Sequence, residues 1–179
     1  DKVLNRLLMQ YREIKLDDKI YKLFTNDLAN SRKVIYCTDN CGEIVLDKLL
    51  IKYLTLYYPQ LEIQVIVRGE EIGNDASIED AENISMQEVA AFEGNGTTIA
   101  GTSLHLLSDE LKKKFYKADM IISKGQGNYE TLSGSGLNIY YLFLCKCNHL
   151  QKIFLAKFLD PIFSMESVSY THLTLPTNS

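Results

Sequence analysis

Three polar runs carry the side chains most able to do chemistry: Asp39-Asn40-Cys41-Gly42-Glu43, Gly69-Glu70-Glu71-Ile72-Gly73-Asn74-Asp75 and Lys124-Gly125-Gln126-Gly127-Asn128. Asp39 and Asp75 together supply two negative charges, enough to balance a divalent cation. The amide oxygen of Asn40 completes a hard oxygen set suited to Mg²⁺ or Mn²⁺. Without a cation, two carboxylates held close would repel, and one would tend to protonate. The third run has the opposite sign. Lys124 offers a point charge, Gly125 and Gly127 give a flexible backbone, and a helix start near Asn128 would favour an anion. The order of a Walker A loop is absent. Arg68, just before the second run, is either a second clamp on an anion or a solvated charge at a strand end.

Each run also has a purely structural reading. Asn40 followed three residues later by Glu43 fits a capping box. Asp75, or Ser77 with Asp80, could cap the helix that follows. Asn40, Glu43 and Asp47 share one helical face. That stripe is either a solvated side, shared with Lys48 and Lys52, or the wall of a site.

The elements that must position these residues alternate. Residues 3–14 and 17–30 show helical spacing. Residues 33–38 (KVIYCT) read as a buried strand, and 43–58 as an apolar helix stopped by Pro59. Residues 62–68 are a second strand, 77–91 a helix and 94–96 a turn. A short helix at 108–117 precedes a third strand at 119–123. A fourth strand at 138–147 and a closing helix at 149–158 complete the series. Strands alternating with helices imply a mostly parallel sheet covered on both faces. Ligands bind beyond the carboxyl ends of such strands. Three parallel strands would therefore bring all three polar runs to one edge.

With 179 residues, 46% of them hydrophobic and 23% charged, the chain has the composition of a globular domain. A net charge of −4 argues against nucleic acid as the main partner. It leaves room for a small anion in a local positive pocket. Cys37, Cys41, Cys145 and Cys147 show no Cys-x-x-Cys spacing. Cys145 and Cys147 would face one side of a strand. Buried reduced thiols are the expectation, with a disulfide or zinc site as the alternative. His105, His149 and His172 are scattered and build no catalytic triad. No signal peptide or membrane span is visible, so a cytoplasmic protein is expected, with no membrane partner.

Asp39 through Asp47 (DNCGEIVLD) resembles the D-N-x-G-E-x-x-x-D signature of the metal-dependent damage-control phosphatases. Arg68-Gly69 with Asn74-Asp75-Ala76-Ser77 and Asp80-Ala81 resembles that family's second block, and Lys124 through Glu130 its third. The likeness covers residues 18–160; Cys41 stands where the family usually has a smaller residue. It implies a three-layer α/β/α, Rossmann-like fold with a helical N-terminal region, of which residues 1–31 would be the end. Residues 32–163 would form the catalytic α/β domain. The chain opens on Asp1, not Met, so a fragment or trimmed chain is expected. Residues 164–179, whose end resembles a translated cloning adapter, would be a non-native or disordered tail.

The resemblance further implies that Asp39, Asn40 and Asp75 hold one divalent metal, with Mn²⁺, Co²⁺ or Ni²⁺ preferred and Mg²⁺ acceptable. Lys124 and Asn128 would face the substrate phosphate, with Glu43 at the site. Arg68, Gly69, Gly125 and Gly127 complete the expected substrate-binding set. The implied activity is hydrolysis of phosphate monoesters of small metabolites, sugar phosphates or damaged phosphometabolites. Water, or the Asp39 carboxylate, would be the nucleophile. Two rivals stand beside it. One is a nucleotide- or S-adenosylmethionine-binding transferase, disfavoured because no Gly-x-Gly-x-x-Gly follows the first strand. The other is a domain that binds phosphorylated ligands without turning them over.

Overall fold

Val34 and Tyr36 alternate with Ile35 and Cys37 along the first strand, and all four are buried. An apolar run buried on both faces belongs at the centre of a parallel sheet. In the computed structural model, which describes residues 16–70 and 72–166, that is where it lies. Strand β1 (Lys33–Cys37) pairs in parallel with β2 (Glu62–Val67) on one side and β4 (Met120–Lys124) on the other. Strand β3 (Ala91–Gly94) extends the sheet beyond β2, and β5 (Ile139–Leu144) extends it beyond β4, both in parallel. Strand β6 (Pro161–Met165) closes the far edge antiparallel to β5. The order is β3-β2-β1-β4-β5-β6. The direction of winding therefore reverses between β1 and β4, which opens a crevice beyond their carboxyl ends.

Two cores lie on the two faces. On one, Val34, Tyr36, Val65 and Ile122 pack against α1 (Asp18–Asn30), α2 (Ile44–Tyr57) and α3 (Ile78–Asn83). On the other, Ile35, Cys37, Ile66 and Tyr141 pack against α4 (Asp109–Lys117), α5 (Gln126–Leu132) and α6 (Asn148–Phe154). The result is the expected three-layer α/β/α sandwich, with a mixed sheet. Among the described residues, no helix is long and apolar enough to cross a membrane.

Several elements differ from their sequence expectation. The helix expected at 77–91 ends at Asn83, because Ser85 adopts a left-handed conformation (φ 56°). A 3₁₀ turn at Met86–Glu88 follows, and the chain then enters β3, where the sequence suggested only a helix end and a turn. Strand β5 stops at Leu144. Cys145 is buried, whereas Cys147 caps α6, its sulfur accepting from the Leu150 amide at 3.5 Å. The two thiols therefore do not share a strand face, and all four cysteines are free.

The expected boundary at 163/164 falls inside β6. Ser164 and Met165 complete that strand. Glu166 is 5% exposed and accepts from the Tyr141 hydroxyl at 2.6 Å and the Gly134 amide at 2.7 Å. A strand led by proline at a sheet edge carries a weak sequence signal, because Pro cannot donate to a ladder. The helix expected at 3–14 and the stretch 167–179 lie outside the described residues.

Candidate active site

The loops after β1 and β2 are sewn together by main-chain bonds. The Cys41 amide donates to Asn74 O at 2.8 Å, and the Ala76 amide donates to Asp39 O at 2.7 Å. Asn40 and Asp75 form an isolated antiparallel bridge between them. The Asn40 side-chain oxygen accepts from the Gly42 amide at 2.8 Å, a local turn of the kind Asn favours. The capping box with Glu43 does not form. Glu43 precedes α2 in helical conformation and makes no side-chain cap bond. Asp75 is not a cap either: Ser77 and Asp80 cap α3 reciprocally.

Asp75 is paired instead with Arg68, Nε to Oδ2 at 2.6 Å. Arg68 is 1% exposed, which overturns its reading as a solvated strand-end charge. Its Nη1 donates to Thr102 Oγ1 at 3.1 Å and to Asn128 Oδ1 at 3.2 Å, while Nη2 is buried without a partner among the described residues. Asn128 is fully buried, and its amide nitrogen donates to the carbonyls of Thr38 (2.8 Å) and Lys124 (2.7 Å). Arg68 and Asn128 thus lock together the loops that follow β1, β2 and β4. Gly69 belongs to the same framework. Its amide donates to Asn95 Oδ1 at 3.0 Å, and a Cβ there would strike the Gly96 backbone. Gly127 lies against the Gly101 backbone.

Gly125 has φ 84°, and any Cβ on it would occupy the Asp39 carboxylate. The third loop therefore meets the first at Asp39. Burial raises the Asp39 pKa above the usual carboxylate range, and the nearby Asp75 and Glu43 carboxylates raise it further, against Arg68 and Lys146. Lys124 lies alongside: its ammonium contacts Asp47 Oδ1 at 2.9 Å and Glu43 Oε2 at 3.1 Å. Burial alone would lower the Lys124 pKa, but the two carboxylates outweigh it and the net shift is upward.

Asp47, 2% exposed, also accepts from the Tyr36 hydroxyl at 2.6 Å. Asp47 is therefore no part of a solvated face, and Glu43 lines the cleft. Asp39, Glu43, Lys124, Gly125, Gln126 and Lys146 line one end of a cleft of about 890 Å³. Its remaining walls are largely apolar, with Ile20, Phe24, Leu50 and Phe163 among them.

The donor set fits a hard divalent cation. It is all oxygen, and its carboxylates repel each other when no cation is present. Asp39 itself packs on Gly125, where any Cβ would strike its carboxylate. Among the described residues, no group of three or more His, Cys, Asp and Glu side chains gathers to hold a metal, so the amide of Asn40 would have to serve as the third ligand.

Sequence reasoning missed Lys146, Tyr36 and Thr102. Lys146 follows β5 and so reaches the same sheet edge, a signal that was readable by extending the strand-end rule to the fourth strand. Tyr36 and Thr102 gave none, since one sits in an apolar run and the other in a loop.

Comparison with known proteins identifies the family and the fold. The damage-control phosphatase ARMT1-like domain matches residues 4–157. A damage-control phosphatase of Pyrococcus horikoshii is 35% identical over 140 residues, covering 75% of this chain and 48% of that protein. One of Archaeoglobus fulgidus is 40% identical over 120 residues, covering 66% and 41%. An uncharacterized protein of Methanocaldococcus jannaschii is 38% identical over 141 residues, covering 75% and 45%. The chain thus spans just under half the length of these relatives. The crystal structure of a DUF89 family protein from Pyrococcus horikoshii superposes with a TM-score of 0.80 at 29% identity, covering 92% of this chain and 58% of that one. With the family model matching residues 4–157 of this chain and the fold shared, the chain belongs to the damage-control phosphatase ARMT1-like family.

Proposed function

We propose that this chain carries the catalytic site of a metal-dependent phosphatase acting on phosphate monoesters of small metabolites. One observation carries the reading. The loops after β1, β2 and β4 are locked edge to edge, so that Asp39, packed on side-chain-free Gly125, opens beside Lys124 into a cleft. Asp39, Asp75 and Asn40 would hold the cation, with Mn²⁺, Co²⁺ or Ni²⁺ preferred and Mg²⁺ accepted. When bound, it supplies charge neutralisation at the phosphoryl group in transfer.

The chain's own groups do the rest. Arg68 fixes the orientation of Asp75 through its 2.6 Å bond. The ammonium groups of Lys124 and Lys146 attract the dianion and stabilise charge on its outer oxygens. The apolar cleft wall limits water around the ester. Water attacks phosphorus as the ester P–O bond breaks, yielding inorganic phosphate and the free alcohol. Asp39 would be a poorer nucleophile than water, because its oxygens would be held by the cation.

The test is a panel of phosphorylated metabolites, read by phosphate release from chelator-treated protein with and without added Mn²⁺. Release that requires the metal and is lost in Asp39→Asn is the expected outcome. Undiminished release from metal-free protein, verified by elemental analysis, would overturn the reading.

A further inference from the structure

Lys124 has three N–H donors. Two are committed to carboxylates of different character. Asp47 is 2% exposed, and the same Oδ1 that meets Lys124 also accepts from the Tyr36 hydroxyl at 2.6 Å. Glu43 is 47% exposed, stands at the mouth of α2 without a capping bond, and reaches Lys124 at 3.1 Å. Lys124 itself keeps 17% exposure, and both it and Glu43 line the cleft. Asp47 has nowhere to go, whereas Glu43 can rotate into solvent at little cost, since a half-exposed ion pair is weak.

We infer that Glu43 is a placeholder for the substrate phosphate on Lys124: the incoming phosphate displaces the Glu43 carboxylate, while Asp47 and Tyr36 keep the ammonium in position. This rests on the phosphatase reading of the site. It assigns Glu43 a role in specificity. An anion must compete with a carboxylate already in place, and it must approach a region that also holds Asp39, Asp47 and Asp75. A dianionic phosphate monoester can do so by forming strong charge-assisted bonds. A monoanionic diester, with half the charge, competes poorly. The placeholder also keeps the ammonium compensated between turnovers.

The experiment is calorimetric titration of the Mn²⁺-loaded chain with inorganic phosphate and, separately, with dimethyl phosphate. The variants are Glu43→Gln and Lys124→Met. Glu43→Gln should bind inorganic phosphate roughly three- to tenfold more tightly, the scale of an exposed pair no longer competing. It should bind dimethyl phosphate with a larger relative gain, which narrows the gap between the two anions. Lys124→Met should lose about tenfold or more in phosphate affinity.

If Glu43→Gln binds phosphate no better than the parent chain while Lys124→Met is impaired, Glu43 is not a placeholder and the phosphatase reading stands. If Lys124→Met binds phosphate as tightly as the parent, Lys124 does not take the anion and the inference falls. If the parent chain neither binds phosphate nor releases it from any ester, the phosphatase reading falls and takes the inference with it.

Discussion

Arg68 and Asp75 are paired at 2.6 Å, with side-chain exposures of 1% and 15%. Removing one partner of a buried pair leaves the other charge uncompensated, which costs far more than losing an exposed pair. Asp75→Ala should therefore cost about 3 kcal/mol, a melting temperature roughly 6–12 °C lower for a chain of this length. Asp39 is different. Among the described residues its carboxylate accepts no hydrogen bond, and it stands near two others. In chelated protein Asp39→Ala should melt at or above the parent temperature, because repulsion is relieved and no bond is lost. Equal destabilisation by the two substitutions in a thermal melt would show that both act as framework. This difference was not legible in the sequence, where both read as carboxylate ligands of one cation. Long charged side chains are mostly exposed, and the partners that bury Arg68 lie 34 and 60 residues away at Thr102 and Asn128. Asp39, Asn40 and Lys124 were legible for the opposite reason. Each follows or ends an apolar strand, so the strand-end rule finds it without long-range information.

Among the elements, β1, β2 and β4 declared themselves by short apolar runs, that of β2 interrupted at Gln64, and their parallel pairing followed from the helices between them. Strand β3 has four residues and ends in glycine, too short to outweigh the helical pattern before it. The same strands need fixing at their other end. Asp119 accepts from the amides of Lys33 at 2.7 Å and Arg32 at 2.8 Å, clasping the start of β1 to the start of β4. These two backbone bonds, Lys33 first, lower the Asp119 pKa below the usual carboxylate value. A carboxylate with a lowered folded-state pKa stabilises above its unfolded value, and that stability is lost as pH falls through the folded value. Asp119→Asn should thus cost about 1 kcal/mol near neutral pH, a figure reduced for the exposure of the group. The deficit should shrink as the parent chain is acidified through the carboxylate range. A deficit that persists unchanged in acid, measured by denaturant unfolding at both pH values, would mean that the amide, not the charge, is at fault.

Across the whole molecule the sheet divides its labour between its two ends. The carboxyl ends gather Asp39, Asp75, Glu43 and Asp47 against Arg68, Lys124 and Lys146; burial first, then the Asp75 and Glu43 carboxylates, raise the Asp39 pKa there. The amino ends carry the Asp119 clasp and the exposed Arg32–Glu62 pair at 2.9 Å. Strand β4 separates Asp119 from Lys124 by about 16 Å at the usual rise per residue. Perturbations that far apart are expected to add. A cation bound only by the folded chain stabilises it through mass action, by about 2.7 kcal/mol at a hundredfold excess over its dissociation constant. That is a rise of roughly 5–11 °C in melting temperature. The parent chain should show this rise with Mn²⁺. Asp119→Asn should melt lower yet show the same rise, because its defect lies at the far end of the sheet. Asp39→Ala should start at or above the parent without metal and fall below it with Mn²⁺, since it gains nothing from the cation. The two melting profiles therefore cross as metal is added. Parallel profiles, with Asp39→Ala rising as much as the parent, would place the cation elsewhere on the molecule.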